Sequence, residues 1–532
     1  MASSFDYIIV GAGSAGCLLA NRLSADPACS VLLIEAGNSD RRFWSRIPVG
    51  YYKMIYNESF ARIFETEASE GTAGRSIKWP RGRIIGGSSS INGLIFIRGQ
   101  CEDFDDWEEL GADGWRFQEV LPYFRKLEGY QGGESQFRGS MGELKVDDLR
   151  LHHPACEAWL DAASQWGLPQ LEDFNADQSY GAGRYQLSLD GRWRSSSARA
   201  FLHPVAKRPN LQVISGALVG RVLFSGTRAT GVSLDRGAGS EEIHGANVIL
   251  SAGALQSPQL LQLSGIGPAG LLGKHGIKTL VDAPSVGQNL QDHYQMRTIV
   301  RMKRRLSLNN DTRNPLKLMG YALDWLRDGS GILSVGAGQV GAGICTRHAT
   351  AGRPDAQLLV MPLSVDKPGE PLHRYAGFTA TVWQCHPLSR GTLEITTAEP
   401  HVQARIQPNY LADPHDQKVM VEGVKIMREI YNQPAFRELW EEEVIPGAEI
   451  RSDEEILDCI RGNGGTVFHP VGTCRMGSDD AAVVDPELRV RGVSGLYVAD
   501  ASVMPKITSA NTNAPTLMIA EKAASHILSH RQ

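Results

Sequence analysis

The chain has 532 residues, enough at about 150 residues per domain for two to four domains, and a core of that size needs no disulfide or metal staple. Its composition, 42% hydrophobic and 21% charged with 57 glycines, excludes a disordered, collagenous or coiled-coil protein. Lys plus Arg total 54 against 59 Asp plus Glu, a formal net charge of −5 with no basic block, which argues against a nucleic-acid partner.

No apolar run approaches the ~20 residues that a bilayer crossing needs, so a soluble globular chain is expected. The N-terminus shows no basic stretch, apolar stretch and small-residue cleavage site in series, and runs almost directly into a strand, Asp6-Tyr-Ile-Ile-Val10. The eight cysteines (Cys17, Cys29, Cys101, Cys156, Cys345, Cys385, Cys459, Cys474) are scattered, with no Cys-x-x-Cys and no zinc spacing, so no metal ligands are assigned. A reduced, cytoplasmic protein is the expectation.

The first strand leads into Gly11-Ala-Gly-Ser-Ala-Gly16, then a stretch with apolar residues at helical spacing (Ala15, Leu18, Leu19, Leu23), then a second strand, Ser30-Val-Leu-Leu-Ile-Glu35. The Gly-x-Gly-x-x-Gly therefore follows a strand and opens a helix inside a βαβ unit of about 30 residues, the arrangement that binds a dinucleotide. Gly11 permits the tight turn, Gly13 lets a pyrophosphate approach the backbone at the helix N-terminus, and Gly16 allows close helix–strand packing. Glu35, at the end of the second strand, is placed to accept hydrogen bonds from an adenosine ribose and disfavours the 2′-phosphate of NADP. NAD and FAD both remain compatible with this motif.

Further along lies a loop dense in small residues, Trp79-Pro-Arg-Gly-Arg-Ile-Ile-Gly-Gly-Ser-Ser-Ser-Ile-Asn92, followed by Gly93-Leu-Ile-Phe-Ile-Arg-Gly99. With its free N–H and hydroxyl donors it suits a second phosphate or a flat ring, or else a surface loop. After a strand at Asn247–Leu250 comes Ser251-Ala-Gly-Ala-Leu-Gln-Ser-Pro-Gln-Leu-Leu-Gln-Leu-Ser-Gly-Ile-Gly267, where Pro258 is expected in the first turn of a short helix. Leu316-Lys-Leu-Met-Gly-Tyr-Ala-Leu-Asp-Trp-Leu326 is apolar enough for a membrane-surface helix, but its few cations favour substrate-domain core.

At Gly82–Gly99 and Gly253–Gly267 the sequence resembles the two signatures of the glucose–methanol–choline (GMC) oxidoreductases, and the resemblance runs from Phe5 to the C-terminal helix. Asp103-Phe-Asp-Asp-Trp107, Gly287-Gln-Asn-Leu-Gln-Asp-His293 and Phe468-His-Pro-Val-Gly-Thr-Cys-Arg-Met-Gly477 are similar to the choline dehydrogenase and bacterial alcohol dehydrogenase branch. The resemblance implies FAD and an α/β fold (α+β overall): a doubly wound, Rossmann-type FAD domain and a substrate domain on a large antiparallel sheet. It assigns 1–160, 210–300 and 465–532 to FAD, and 161–209 and 301–464 to substrate. No linker or internal repeat marks the seams.

The cofactor shell it implies is Gly11, Gly13, Ser14, Ala15, Gly16, Glu35, Ala36, Arg83, Gly86, Gly87, Ser88, Asn92, Gly93, Leu94, Ile95, Val219, Asp500, Ala501 and Thr512. Gly86 to Ile95 would wrap the flavin with Asn92 near its ring, Val219 would meet adenine through its backbone, and Asp500 and Ala501 would contact the ribityl chain and pyrophosphate. Some members attach FAD covalently through a histidine just before the residue matching Asn92; here that position is Ile91, so non-covalent FAD is expected.

Flavin-dependent alcohol oxidation needs a base for the hydroxyl proton and a donor for the developing alkoxide. Among 14 histidines, the one matching the family's catalytic base is His469, and Asn511 matches its partner, which is His or Asn. Asn cannot act as a base, so His469 carries the proton work and Asn511 holds the substrate oxygen; capping of the C-terminal helix is the other reading of Asn511, although Asn513 is better placed for it. That helix, expected over Pro515–Leu528, would aim its positive end at the flavin pyrimidine edge. Phe468 suits a pocket wall or core equally, Val382-Trp-Gln-Cys385 is expected to line the substrate side, and His293 reads as structural. The expected reaction is oxidation of a primary alcohol without a fixed positive charge to its aldehyde, electrons passing to a quinone or other acceptor. An O₂-using oxidase and an FAD-containing lyase are the alternatives. Peripheral membrane contact goes with the quinone reading; oligomeric state is left open.

Overall fold

The computed structural model describes residues 4–235, 239–350, 352–367 and 369–530. Two sheets organise it. Val31–Glu35 is buried at every position, as a strand covered on both faces must be, and it pairs in parallel with Phe5–Val10 on one side and Leu211–Ser215 on the other. Phe5–Val10 in turn pairs in parallel with the C-terminal half of the long strand Ser240–Leu250, which also takes Leu496–Val498 in parallel at Val248 to Leu250. The N-terminal half of the same long strand pairs antiparallel with Arg228–Asp235, which pairs with Leu218–Ser225 and completes seven strands. Helices Ser14–Leu23 and Asn513–Ser529 pack together in the core built on this sheet.

The second sheet has eight strands and is mostly antiparallel. Tyr294–Met302, Gly377–Gln384, Ala356–Met361 and Val340–Ile344 form its centre. Helix Pro414–Tyr431 backs it so closely that a Cβ on Gly423 would come within 2.6 Å of Val382 Cγ2. Tyr294–Met302 and Gly465–Thr466 belong to this sheet, and helix Pro154–Trp166 packs in its core.

Three local expectations need correction. Pro258 lies inside helix Gly253–Leu263 rather than in its first turn. A proline there removes the N–H that would bond the Ala254 carbonyl, and the Thr473 hydroxyl takes that carbonyl at 2.6 Å instead. The C-terminal helix begins at Asn513, which caps nothing: its Oδ1 accepts from the Ser14 hydroxyl at 2.8 Å.

The third correction is larger. Helix Pro315–Asp328 is not core: Leu316, Met319, Leu323 and Leu326 are 72%, 57%, 59% and 60% exposed, and Trp325 alone in it is buried. Its apolar periodicity is real, but no element of the described chain packs over that stripe.

Candidate active site

Between the two sheets runs a cavity of about 500 Å³. Its floor comes from the glycine-rich turn and the Gly82–Ile95 loop; its roof from the inner face of the second sheet, where Gln295, Arg297, Leu359, Met361, Thr379, Thr381 and Trp383 alternate inward. Gly11, Gly13, Ser14, Ala15, Glu35, Ala36, Arg83, Gly87, Ser88, Asn92, Gly93, Leu94, Ile95, Val219, Asp500, Ala501 and Thr512 all line it, as do His469 and Asn511. Gly16 and Gly86 do not. Gly16 packs against Gly11, whose carbonyl would sit 1.9 Å from an added Cβ. Gly86, at φ +87°, donates its N–H to the Ala12 carbonyl at 2.7 Å.

The floor suits a dinucleotide. No side chain caps helix Ser14–Leu23, so its first-turn N–H groups face the cavity. Gly87 approaches Gly13 so closely that a Cβ would lie 2.6 Å from the Gly13 Cα. Glu35 accepts from the backbone N–H groups of Ala12 and Gly37, each at 2.8 Å, while burial pushes its carboxyl up to about 7 against those two bonds. Asp500 is spent on its own chain: it accepts from Gly253 N at 2.8 Å, the Ser257 hydroxyl at 2.6 Å and Ser502 N at 2.8 Å.

At the other end the imidazole of His469 is buried, with Asn511 Nδ2 3.0 Å from its Nε2 and His293 Nδ1 3.0 Å from its Nδ1. His293 Nε2 lies 2.9 Å from the Cys385 carbonyl, and a carbonyl only accepts. The protons of the chain follow from that. His293 donates through Nε2, so its Nδ1 must accept; His469 therefore carries its proton on Nδ1 and presents a lone pair on Nε2. Burial, His293 and Arg81 together hold His469 well below the ordinary 6.5, so it is neutral at pH 7. In this state the Asn511 amide donates to the Nε2 lone pair at 3.0 Å; a substrate hydroxyl entering between them can give its proton to Nε2 while the same amide donates to its oxygen. His293, read from sequence as structural, thus sets the tautomer.

Further residues, most of them given no individual role by the sequence, hold this geometry. Buried Asp292 accepts from His469 N at 2.7 Å and the Thr466 hydroxyl at 2.6 Å, and also from the Tyr410 hydroxyl. Arg81 donates to the Phe468 carbonyl at 2.7 Å and to Ser88 at 3.0 Å. Phe468 itself lines the cavity at φ +69°, a left-handed conformation that costs a bulky residue about 1–3 kcal/mol and is held by its N–H on Thr466 Oγ1 at 2.7 Å. Asp103 bonds Ser509 N at 2.7 Å, His386 Nε2 at 2.6 Å and Arg353 at 2.8 Å, tying down the turn that carries Asn511. Arg194 donates to Asn92 Oδ1 at 2.7 Å, which leaves the Asn92 amide N–H groups for the cavity.

GMC oxidoreductase family models match residues 5–295 and 387–520, together most of the chain and both halves of this site. The chain belongs to the GMC oxidoreductase family. This GMC oxidoreductase is 40% identical to an alcohol dehydrogenase [acceptor] of Pseudomonas putida, over 98% of this chain and 96% of that one. It is likewise 40% identical to the mitochondrial choline dehydrogenase of Homo sapiens, over 98% of this chain and 89% of the other. Among solved structures, pyridoxine 4-oxidase from Mesorbium loti superposes with a TM-score of 0.89 at 31% identity, covering 99% of this chain and all of that one. This GMC oxidoreductase is accordingly an FAD-dependent oxidoreductase of CH–OH donors, and the dinucleotide floor fits that cofactor.

Proposed function

We propose that the enzyme oxidises a primary alcohol carrying no fixed positive charge to its aldehyde. The observation that carries this reading is the chain Cys385 carbonyl–His293–His469–Asn511, which fixes His469 Nε2 as an acceptor facing an amide donor at the end of a largely apolar cavity. His469 takes the hydroxyl proton at Nε2, and the positive charge that forms is shared toward the His293 Nδ1 acceptor. Asn511 donates its amide N–H to the substrate oxygen as it gains negative charge. Bound FAD supplies the hydride acceptor at N5. Ser14, Gly13 and the helix they open would hold the pyrophosphate, Glu35 the ribose, Val219 the adenine, and Gly86 to Ile95 the flavin; the N-terminus of Asn513–Ser529 adds positive potential beside Asn511 and Thr512. Glu35 and Asp500 are the only acidic residues lining the cavity among the described residues, and both are bonded at the dinucleotide floor, so no carboxylate at the substrate end pairs with a quaternary ammonium, and the Arg297 cation there repels one.

The electrons pass to a lipid-soluble quinone. Support comes from the exposed stripe of helix Pro315–Asp328, whose Trp325 packs edge-on against Trp193 at 5.2 Å, while the strand Trp193–Arg194 in turn contacts the short helix Phe43–Arg46, where Phe43 and Trp44 are exposed. An exposed apolar helix stripe suits insertion at the surface of a bilayer. No helix of the described residues is long and apolar enough to cross one.

Mixing the yellow holoenzyme anaerobically with benzyl alcohol or 1-octanol should bleach the flavin band, and choline should do so far more slowly. Colour should return slowly in air and fast with a soluble quinone. Choline as the best substrate refutes the substrate reading, and rapid recolouring in air refutes the acceptor.

A further inference from the structure

Arg297 is a cation without a counter-charge in the substrate end of the cavity. It sits on strand Tyr294–Met302 opposite Thr381, lines the cavity, and makes no side-chain hydrogen bond or ion pair among the described residues. The groups that act on its charge are the phenols of Tyr56, Tyr51 and Tyr52, all un-ionised at neutral pH, and burial lowers its own affinity for the proton. The Tyr52 hydroxyl, also at the cavity wall, is buried with no hydrogen-bond partner. Leaving the Tyr52 phenol unsatisfied away from water is costly, and the half-buried Arg297 opens its guanidinium donors onto the same cavity with no acceptor, so the pair marks a place where an acceptor is to be received. The other arginines at the catalytic end are spent on the chain itself: Arg81 on Phe468 and Ser88, Arg194 on Asn92.

We propose that Arg297, with Tyr52, forms a receptor for a carboxylate at the far end of the substrate, making the preferred substrates primary alcohols that also carry a carboxylic acid. This rests on the alcohol-oxidising reading above and specifies its substrate class. One arginine and one neutral donor match a singly charged, planar carboxylate, which a guanidinium binds in two-pronged fashion; a doubly charged phosphate calls for more cations than this end supplies. His293, Gln295 and Arg297 alternate onto one face, so the Arg297 backbone lies about 14 Å along the strand from the His293 that anchors the catalytic base. The arginine side chain closes part of that distance, and a benzene ring or short methylene chain spans the rest.

The test uses FAD-loaded enzyme and matched pairs: 4-(hydroxymethyl)benzoate against benzyl alcohol, and 8-hydroxyoctanoate against 1-octanol, with anaerobic flavin bleaching as the readout. Each acid should exceed its neutral partner in kcat/KM by about 10-fold or more, the advantage of a charge-assisted bond. That acid-to-neutral ratio should fall about 10–100-fold in Arg297→Met and be partly kept in Arg297→Lys. As a measurement apart from turnover, 4-methylbenzoate should perturb the flavin spectrum of the wild type at far lower concentration than that of Arg297→Met. If neither member of any pair bleaches the flavin, the alcohol-oxidising reading fails. If neutral alcohols bleach it and the acids show no advantage, the carboxylate receptor alone is overturned. The wild-type pairs decide this even if a variant loses its cofactor.

Discussion

His469 is poised by removal of its alternatives. Its Nδ1 proton is claimed by His293, whose own tautomer is dictated by the Cys385 carbonyl, so the lone pair can only be on Nε2. His469→Ala should lower kcat/KM by roughly 10²–10⁴ with the flavin spectrum unchanged, and the deficit should shrink at high pH as the alcohol ionises more readily. His293→Phe removes the Nδ1 acceptor and lets His469 place its proton on Nε2; flavin reduction should slow on the order of 10²-fold, and His293→Asn, whose carbonyl oxygen still accepts, should recover much of it. The pH profile has a definite sign. Only the neutral ring accepts a proton, and burial lowers the pKa of the ring, so kcat/KM should stay level as pH falls through 6.5 and drop only at more acid values. An acid limb centred at or above 6.5 in the wild type contradicts the buried, neutral base.

Among the elements, helix Pro315–Asp328 departs furthest from expectation. An amphipathic stripe records that one face of a helix is apolar, and a core position and an exposed docking face produce the same pattern. Changing Leu316, Met319, Leu323 and Leu326 together to Gln should leave the melting temperature within a few degrees of wild type, since each exposed site contributes within about 0.5 kcal/mol, whereas a core site loses about 2–5 kcal/mol on truncation. Co-sedimentation with anionic phospholipid vesicles should be lost in that variant. A large drop in stability points to burial by a partner, and a wild type that ignores every vesicle removes the membrane surface from the proposal. Other elements were legible because their signals are local: the strand–glycine turn–helix–strand at Phe5–Glu35 appears where spacing places it, within one or two residues. Helix Gly253–Leu263 shows the limit of local rules, because a proline in its interior is tolerated only through Thr473, more than 200 residues away.

For the molecule as a whole, the cavity whose floor fits the cofactor lies where the two sheets face each other. With Ile91 at the position of possible attachment, acid or heat precipitation should release all the yellow colour to the supernatant; colour kept in the washed pellet contradicts non-covalent binding. Because the cavity walls come from both sheets, FAD at 100 times its Kd should add about 2.7 kcal/mol to stability, so a melting curve with added FAD should lie a few degrees above that of the stripped protein.

By itself the sequence carried the glycine turn of the dinucleotide floor in short spacings, glycines whose missing Cβ permits a turn beside a hydrophobic strand, whereas the two-unit α/β architecture and the candidates His469 and Asn511 were legible only through the resemblance to the GMC oxidoreductases. Only the tertiary structure decided that His469 and Asn511 meet at 3.0 Å, that His293 completes the pair, and that Asp103 and Asp292 hold their turns. It also decided that Arg297 faces the cavity without a counter-charge and that the Leu316 helix remains uncovered. The physical reason is common to all of these. Periodicity and motif encode what a residue could bury or bond, but which partner arrives depends on the register of strands far apart in the chain, such as Arg297 opposite Thr381, and no local spacing specifies that register.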